Sequence, residues 1–600
     1  MAKRWKIEEQ SDAEEVKDFS SELNNLDSTL TNILLQRKID TFEKAKTFFR
    51  PSLDEIHDPF LMKDMDKAVE RLQFAIENKQ KILIYGDYDV DGTTSVALVY
   101  SYLKNFYPAL NQEAKKIEQI NPNDSLKTSQ SDNHQNRYGL EYYIPDRYAE
   151  GYGISYQGID YAAENDFKLI IALDCGIKAN DKIDYATEKG VDFIICDHHR
   201  PGDEIPKAVA VLDQKRADCN YPYKELSGCG VGFKFMQAWA QKEGKDEAKL
   251  MEYLDLLAVS TCADIVPITG ENRVFVYYGL KVINENPRLG IKTMVELAKL
   301  KNELTVTDVV FTIAPRINAA GRIETGNKAV EMLVEENKEK ALEFGGNINE
   351  LNIERKELDK AITQEALKQI EDNAELQDKK TTVLYSENWH KGVIGIVASR
   401  LIETHYRPTI ILTESNGKAT GSARSVKDFD VYDAIDACSD LLEQFGGHKY
   451  AAGLTMKLEN LDAFTQKFEE VVNEQIDDEL LIPQINIDAA LNLNQITDKF
   501  NKVLKQFAPT GPGNMRPVFM SENVFITSNS RKIGEDKTHL RLEVFQEENP
   551  EIKFNCIAFG MGHILDDLDE GMPISIAYNI EENHWQGNTT LQLNLKDIKV

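Results

Sequence analysis

KILIYGDYDVDGTTSVALVYSYL, residues 81–103, decides how the chain folds. Its first seven residues are a short apolar run that ends on an acid, Asp87, and the segment from Thr93 onward reads as a helix. Three later runs repeat the first half: KLIIALD ending at Asp174, DFIICD at Asp197 and AVAVLD at Asp213. Several are rich in Ile and Val, as strands buried on both faces are. ANDKIDYATEKG (179–190) supplies a second helix, closed by Gly190. Strand, helix, strand in succession predicts a parallel sheet with crossover helices. Ligands of such sheets bind beyond the carboxyl ends of the strands, so topology gathers acids that are distant in sequence.

Beyond this core the pattern changes. Residues 111–137 are polar and aperiodic, which predicts a flexible insertion. Residues 325–372 read as one long helix with an apolar stripe of Ile348, Leu351, Leu358, Ile362, Ala366 and Ile370. TTVLYSE and the following GVIGIVASRLIETHYRPTIIL predict a second α/β unit, to about residue 475. THLRLEVFQ, IKFNCIAFG, ISIAYNIE and TLQLNLKDIKV alternate as strands do and predict a small β-barrel at the end. The predicted fold is multidomain α/β with a terminal barrel.

Six hundred residues at 42% hydrophobic content are enough for several cores. No apolar run is long enough for a membrane span, and the first residues lack the apolar middle of a secretory signal. The seven cysteines (175, 196, 219, 229, 262, 438, 556) form no CxxC pair, which argues for reduced thiols and against a structural zinc. A soluble, cytoplasmic protein is expected. The net charge of −30 argues against a nucleic-acid partner unless the basic residues are gathered locally.

GDYDVDG places Asp87, Asp89 and Asp91 at alternate positions, which would aim all three at one point if the segment stays extended. Three clustered carboxylates require cations between them. A calcium loop is excluded because the position that needs a bidentate Glu is Leu98. Asp174, the Asp197-His198-His199 triplet and Asp264 (in STCADIVPITGENR) complete a set of oxygen and nitrogen donors. Such a set suits two Mn²⁺ ions, with Mg²⁺ the second candidate.

GDYDVDG, LDCGI, DHH and CADIVP, in this order, resemble the DHH phosphoesterase superfamily. APRINAAGR (314–322), GSARS (421–425) and FGGHKYAAG (445–453) narrow the resemblance to RecJ-type exonucleases, over roughly residues 50–600. Two features depart from the family pattern: the length of the 111–137 insertion, and LDQK (212–215) where Asn-Pro is usual. The resemblance implies an N-terminal helical segment (1–60), a DHH catalytic domain (61–324), a connecting helix (325–372), a DHHA1 domain (373–478) and an OB-fold domain (479–600). It implies that Asp89, Asp91, Asp174, His198 and Asp264 bind two metals, with Asp87 a ligand or the support of one, and that His199 orients or protonates. Arg147, Arg316, Asn318, Arg322, Ser422 and Arg424 become the candidates for DNA backbone and 5′ phosphate, and Gly446, Gly447 and His448 for amides close to a phosphate. The implied activity is hydrolysis of single-stranded DNA from the 5′ end to mononucleotides, in repair and recombination. A monomer is expected, with a helicase and a single-strand-binding protein as partners and no membrane. Two rival readings are a DHH phosphoesterase on short oligonucleotides or phosphoadenosine phosphate, and a scaffold that binds strands without cutting them.

Overall fold

All four acid-terminated runs are strands. The computed structural model describes residues 3–106, 139–585 and 587–600. The insertion expected at 111–137 lies outside these residues. Contacts divide the chain into two compact units, one of residues 51–355 with 509–514, the other of residues 1–50, 356–508 and 515–600.

The first unit is built on a five-stranded, all-parallel sheet. Its spatial order is Leu140–Tyr143, Lys81–Gly86, Phe167–Leu173, Asp192–Cys196, Ala210–Leu212. The first of these in space was not foreseen, because LEYY carries a charge. Glu141 is nevertheless buried, and the Tyr161 hydroxyl donates to it at 2.8 Å. Helices Val90–Lys104, Tyr156–Glu164 and Asn180–Glu188 make the crossovers. Both faces are covered. Ile82 and Ile84 enter one apolar cluster with Val96, Val99 and Leu173, while Leu83 and Tyr85 enter another with Ile170, Ala172 and Ile195. That double burial is why the strands read as unbroken apolar runs. In order of occurrence the strands lie 2-1-3-4-5, so the direction of winding reverses between Lys81–Gly86 and Phe167–Leu173, and the crevice for a ligand opens at their carboxyl ends.

The second unit holds a mixed sheet and a barrel. Strands Gln444–His448, Ala451–Lys457, Lys418–Arg424, Thr409–Ser415 and Thr382–Tyr385 lie in that order, the last two parallel and the rest antiparallel. The barrel closes as a ring of Phe519–Ile526, Ile574–Trp585, Asn588–Lys599, Phe554–Ala558 and His539–Gln546, since the first strand also pairs with the last. Closure leaves no open edge, which is how an OB-type barrel protects its backbone. The N-terminal segment is not only helical: Arg4–Ile7 is a strand paired with Gln484–Ile487. Its helices bury Phe19, Leu30, Ile33, Leu34 and Phe48 in the barrel's own apolar cluster. The expected 325–372 helix is two helices, Asn327–Val334 and Lys338–Glu371. The break falls at the extended Glu335, and Asn337 restarts the helix by accepting from the amides of Glu339 and Lys340. All seven cysteines are buried and unpaired. Among the described residues, no helix is long and apolar enough to cross a membrane.

Candidate metal centre

The GDYDVDG segment gathers its acids by a different route from the one its alternation suggested. The chain does not stay extended. The strand ends at Gly86, Asp89 caps the next helix by accepting from the Gly92 amide at 3.0 Å, and Asp91 already lies in the first helical turn. Two glycines permit this sharp turn. A Cβ on Gly92 would lie 2.4 Å from the Asp87 carbonyl oxygen, and one on Gly86 would lie 2.4 Å from the Val96 side chain. Asp87 is fully buried, with Oδ1 accepting from the Gly153 amide at 3.3 Å.

Asp91 is held by donors from two other helices. Gly228 N donates to Oδ2 at 2.6 Å, and Cys229 N and the Ser260 hydroxyl donate to Oδ1 at 2.8 and 2.6 Å. The two amides are the first of helix Gly228–Lys242, where a carboxylate is favoured by free N–H groups and the helix dipole. Ser260 Oγ lies 2.7 Å from Ser227 Oγ, which in turn accepts from the Gly230 amide. An ionised Asp91 can only accept, so the Ser260 proton points at Asp91 and the Ser227 proton at Ser260. A one-way chain of donors therefore runs from the backbone to one acid.

Asp174 and the DHH triplet face this group from the neighbouring strand ends. Asp174 is buried and sits at φ +60°, a left-handed conformation that a short polar side chain tolerates. Gly228 is packed against it, with room for no Cβ: one would lie 2.6 Å from that of Asp174. Asp197 accepts from the amides of Ile177, His198 and His199 at 2.9, 2.7 and 3.1 Å, and lies 2.8 Å from His199 Nδ1. It thereby fixes the backbone of both histidines and the imidazole of His199. His198 Nε2 stands 3.2 Å from Asp174 Oδ1 and 3.6 Å from both Asp91 Oδ2 and Asp264 Oδ2. Asp264 follows the helix Leu254–Ala263 as its terminal residue.

Two overlapping triads can each offer three ligand atoms within 4.8 Å of one another: Asp174, His198 and His199, and Asp91, His198 and Asp264. Asp87, Asp89, Asp174 and Asp264 all have carboxyls raised above the usual range, by burial first and neighbouring acids second. Burial pushes His198 down to about 4. For His199 burial acts in the same direction, but the hydrogen bond and charge of Asp197 win and lift it to about 9. Asp213, at the end of the outermost strand, is raised to about 7 by burial.

The DNA candidates divide between the units. In the first, Arg147 stacks over the Tyr88 ring with 5.0 Å between guanidinium carbon and centroid. Helix Ala314–Ile323 lies directly on the acidic turn, since a Cβ on Gly321 would come 2.5 Å from the Tyr88 carbonyl oxygen. Arg322 and Asn318 are half-exposed on this helix. Arg316 instead is buried and donates to the Thr312 carbonyl at 2.7 Å, so it fixes the preceding turn. In the second unit, Ser422 and Arg424 share one side of a strand, with Arg424 Nη1 donating to Ser422 Oγ at 3.0 Å. Gly446, Gly447 and His448 are exposed on the edge strand of that sheet, Gly447 with φ +150°.

Comparison with known proteins matches three family models: "DHH family, N-terminal domain" at residues 81–261, "DHHA1 domain" at 378–474 and "RecJ OB domain" at 487–597. The single-stranded-DNA-specific exonuclease RecJ of Bacillus subtilis is 35% identical over all of this chain and 71% of its own length. The chain belongs to the RecJ family. RecJ of Escherichia coli is 31% identical over 89% of this chain and 90% of its own. A crystal structure of RecJ from Thermus thermophilus in complex with Mn²⁺ superposes with a TM-score of 0.80 at 25% identity, covering 100% of this chain and 79% of that one.

The acid cluster fits the divalent cations that RecJ structures carry. Asp87 Oδ2, Asp174 Oδ1, Asp264 Oδ2 and both ring nitrogens of His198 are buried without a hydrogen-bond partner. Buried polar atoms left this way are costly, and cations satisfy them together. Mixed carboxylate and imidazole donors suit Mn²⁺ first. Sequence reasoning gave no role to Ser260, Tyr88 or Tyr152, whose hydroxyl lies 3.2 Å from His199 Nε2. These three carry no local signal, and Asp197, read there among the donors, is occupied by the amides of Ile177, His198 and His199 and by the His199 ring.

Proposed function

We propose that this RecJ-family chain is a metal-dependent exonuclease that removes mononucleotides from the 5′ end of single-stranded DNA, in repair and recombination. The observation that carries the proposal is the pair of overlapping triads sharing His198, with unsatisfied donor atoms, at the winding reversal of a parallel sheet. Asp89, Asp91, Asp174, His198 and Asp264 would hold two ions, Mn²⁺ in preference to Mg²⁺, with Asp87 supporting the cage. When bound, the ions supply Lewis acidity, activation of water, and charge to offset that on the phosphoryl oxygens. The protein's own part is to fix the geometry: Asp197 holds the His199 imidazole and the backbone of both histidines, and the donor chain through Ser260 holds Asp91. His199, its Nδ1 held 2.8 Å from Asp197, would orient or protonate the departing oxygen. Arg147 and Arg322, both close enough to Tyr88 for their charges to act on it, would position the phosphodiester. Ser422, Arg424, Gly446, Gly447 and His448 would take the 5′ phosphate.

The reading has the catalytic domain at 61–324, the DHHA1 domain at 373–478 and the OB domain at 479–600 acting on one strand. It also has a monomer working in the cytoplasm, where a helicase and a single-strand-binding protein deliver the strand. Purified protein with Mn²⁺, given 5′- or 3′-labelled single strands and matched duplexes, should release labelled mononucleotide first from the 5′-labelled single strand. Release first from the 3′ label would overturn the polarity, and no release at all would overturn the enzyme.

A further inference from the structure

Phe311 is an aromatic residue that the proposed chemistry does not use. It lies in a single π-helical turn, Val309–Ile313, whose wide bond runs from the Ala314 amide to the Val309 carbonyl. Val309 and Ile313 are buried at the two ends of the turn, and Arg316 pins it through the Thr312 carbonyl. Phe311 itself is 74% exposed, more than any other large apolar residue of the described chain. Turns of this kind interrupt a helix at a cost and cluster at functional sites, because they re-aim a side chain.

The direction in which Phe311 is aimed can be read from the helix that follows. Ala314, Arg316, Ile317, Ala319, Ala320 and Gly321 are buried, whereas Pro315, Asn318 and Arg322 are not. With Phe311 these residues recur every three or four positions and form one outward stripe. The stripe ends at Arg322, beside the Tyr88 turn on which Gly321 packs. It runs from a flat apolar ring, past an amide, to a guanidinium next to the acid cluster. That sequence of chemistries matches a nucleic-acid strand, with a base to stack and phosphates to pair. Eleven residues of helix span about 16 Å. Stacked nucleotides advance about 3.4 Å each, so the ring falls within roughly five nucleotides of the scissile bond.

We infer that Phe311 is a base-stacking platform for single-stranded DNA, placed a few nucleotides downstream of the bond that is cut. The inference rests on the nuclease reading for the direction of the strand. Stacking on an aromatic face is indifferent to sequence, and it would hold the strand in register as each nucleotide leaves.

Strand binding by fluorescence anisotropy, with Ca²⁺ in place of Mn²⁺, tests this in the full-length protein. The probes are a 5′-phosphorylated single strand and a series carrying one abasic residue at each of the first eight positions. Wild-type protein should lose affinity about tenfold, or roughly 1.4 kcal/mol, at one position among the first five. Phe311→Ala should lose about as much with the intact strand and nothing further when that same position is abasic. Phe311→Trp should bind within about twofold of wild type, since an indole stacks as well. Phe311 is exposed, so neither variant removes core packing. Equal affinity of Phe311→Ala and wild type for the intact strand, or equal abasic penalties in both, overturns the platform. Cleavage by wild type in Mn²⁺ is scored in parallel. Abasic coupling without cleavage would retain the platform and sink the nuclease reading, and cleavage without coupling would do the reverse.

Discussion

Ser260→Ala removes one hydroxyl, 2.6 Å from Asp91, and should weaken Mn²⁺ binding without unfolding the protein. Asp91 accepts three short hydrogen bonds, from Gly228 N, Cys229 N and Ser260 Oγ, and a long one of 3.4 Å from Ser95 Oγ, so the substitution takes one of the three short ones. A hydrogen bond to a charged group is worth about 1.5–3 kcal/mol. Two amides remain to orient the carboxylate, which places the loss at the low end, near 1.5 kcal/mol and hence about tenfold in affinity. That agrees with the roughly 10- to 100-fold cost of deleting a partner behind a metal ligand. The assay is a Mn²⁺ titration followed by the electron paramagnetic resonance of the free ion, with thermal unfolding of the metal-free protein beside it. Ser260→Thr, which keeps the hydroxyl, should recover most of the affinity, with a cost in melting temperature for the added methyl in a buried site. If Ser260→Ala binds Mn²⁺ as tightly as wild type while its melting temperature falls, the hydroxyl serves packing alone and the donor chain has no bearing on the centre.

Asp174→Asn should cut nuclease activity by roughly a thousandfold. It should also raise the melting temperature of the metal-free protein, because it removes one charge from a crowded acid cluster and Asn accepts the φ of +60°; a lower melting temperature would contradict the repulsion inferred there. Gly92→Ala should prevent the catalytic unit from folding normally, since its Cβ would meet Asp87 backbone atoms at 2.4 and 2.6 Å and backbone cannot rotate away. The cost should be about 3 kcal/mol or more, and a circular-dichroism melt like that of wild type would refute the close approach. Mn²⁺ at a hundred times its dissociation constant should stabilise wild type by about 2.7 kcal/mol for each site filled, and differential scanning calorimetry should find that gain largely lost in Asp174→Asn.

The parts legible in the sequence were those whose cause is local. KILIYGD, KLIIALD and DFIICD announce themselves because both faces of their sheet are covered, so after a charged first residue the run stays free of charge until it ends on an acid. LEYY at 140–143 escaped because its one charge, Glu141, is matched by a tyrosine hydroxyl twenty residues away. Strand Phe519–Ile526 escaped for a different reason. A bulge between Ser521 and Val524, with Asn523 at φ +52°, resets the alternation that marks a strand. Within the site, carboxylate identities could be read, but not how they are brought together. Asp87, Asp89 and Asp91 converge because a helix begins at Val90, against the extended geometry that their spacing suggested. The burial of Arg316 and the place of Ser260 depend on which helices pack together, and no short stretch of sequence encodes that.

The net charge of −30 set composition against function, and the site shows how the two are compatible. Asp87, Asp89, Asp91, Asp174, Asp197 and Asp264 crowd together around His198 and His199, and neighbouring acids raise the carboxyls of Asp87, Asp89, Asp174 and Asp264. Without cations this volume repels phosphate as well as itself. Each divalent ion that enters cancels two of those charges, satisfies carboxylate and imidazole atoms that have no other partner, and presents its own field to the strand. Surface acidity elsewhere matters little at this distance, because salt screens exposed charges over about 8 Å while buried groups are screened far less. On the proposed reading the metals, with Arg147 beside Tyr88, would draw the strand to the site, and a basic composition would not be required. The same argument makes metal binding and strand binding mutually reinforcing, since each supplies charge that the other lacks.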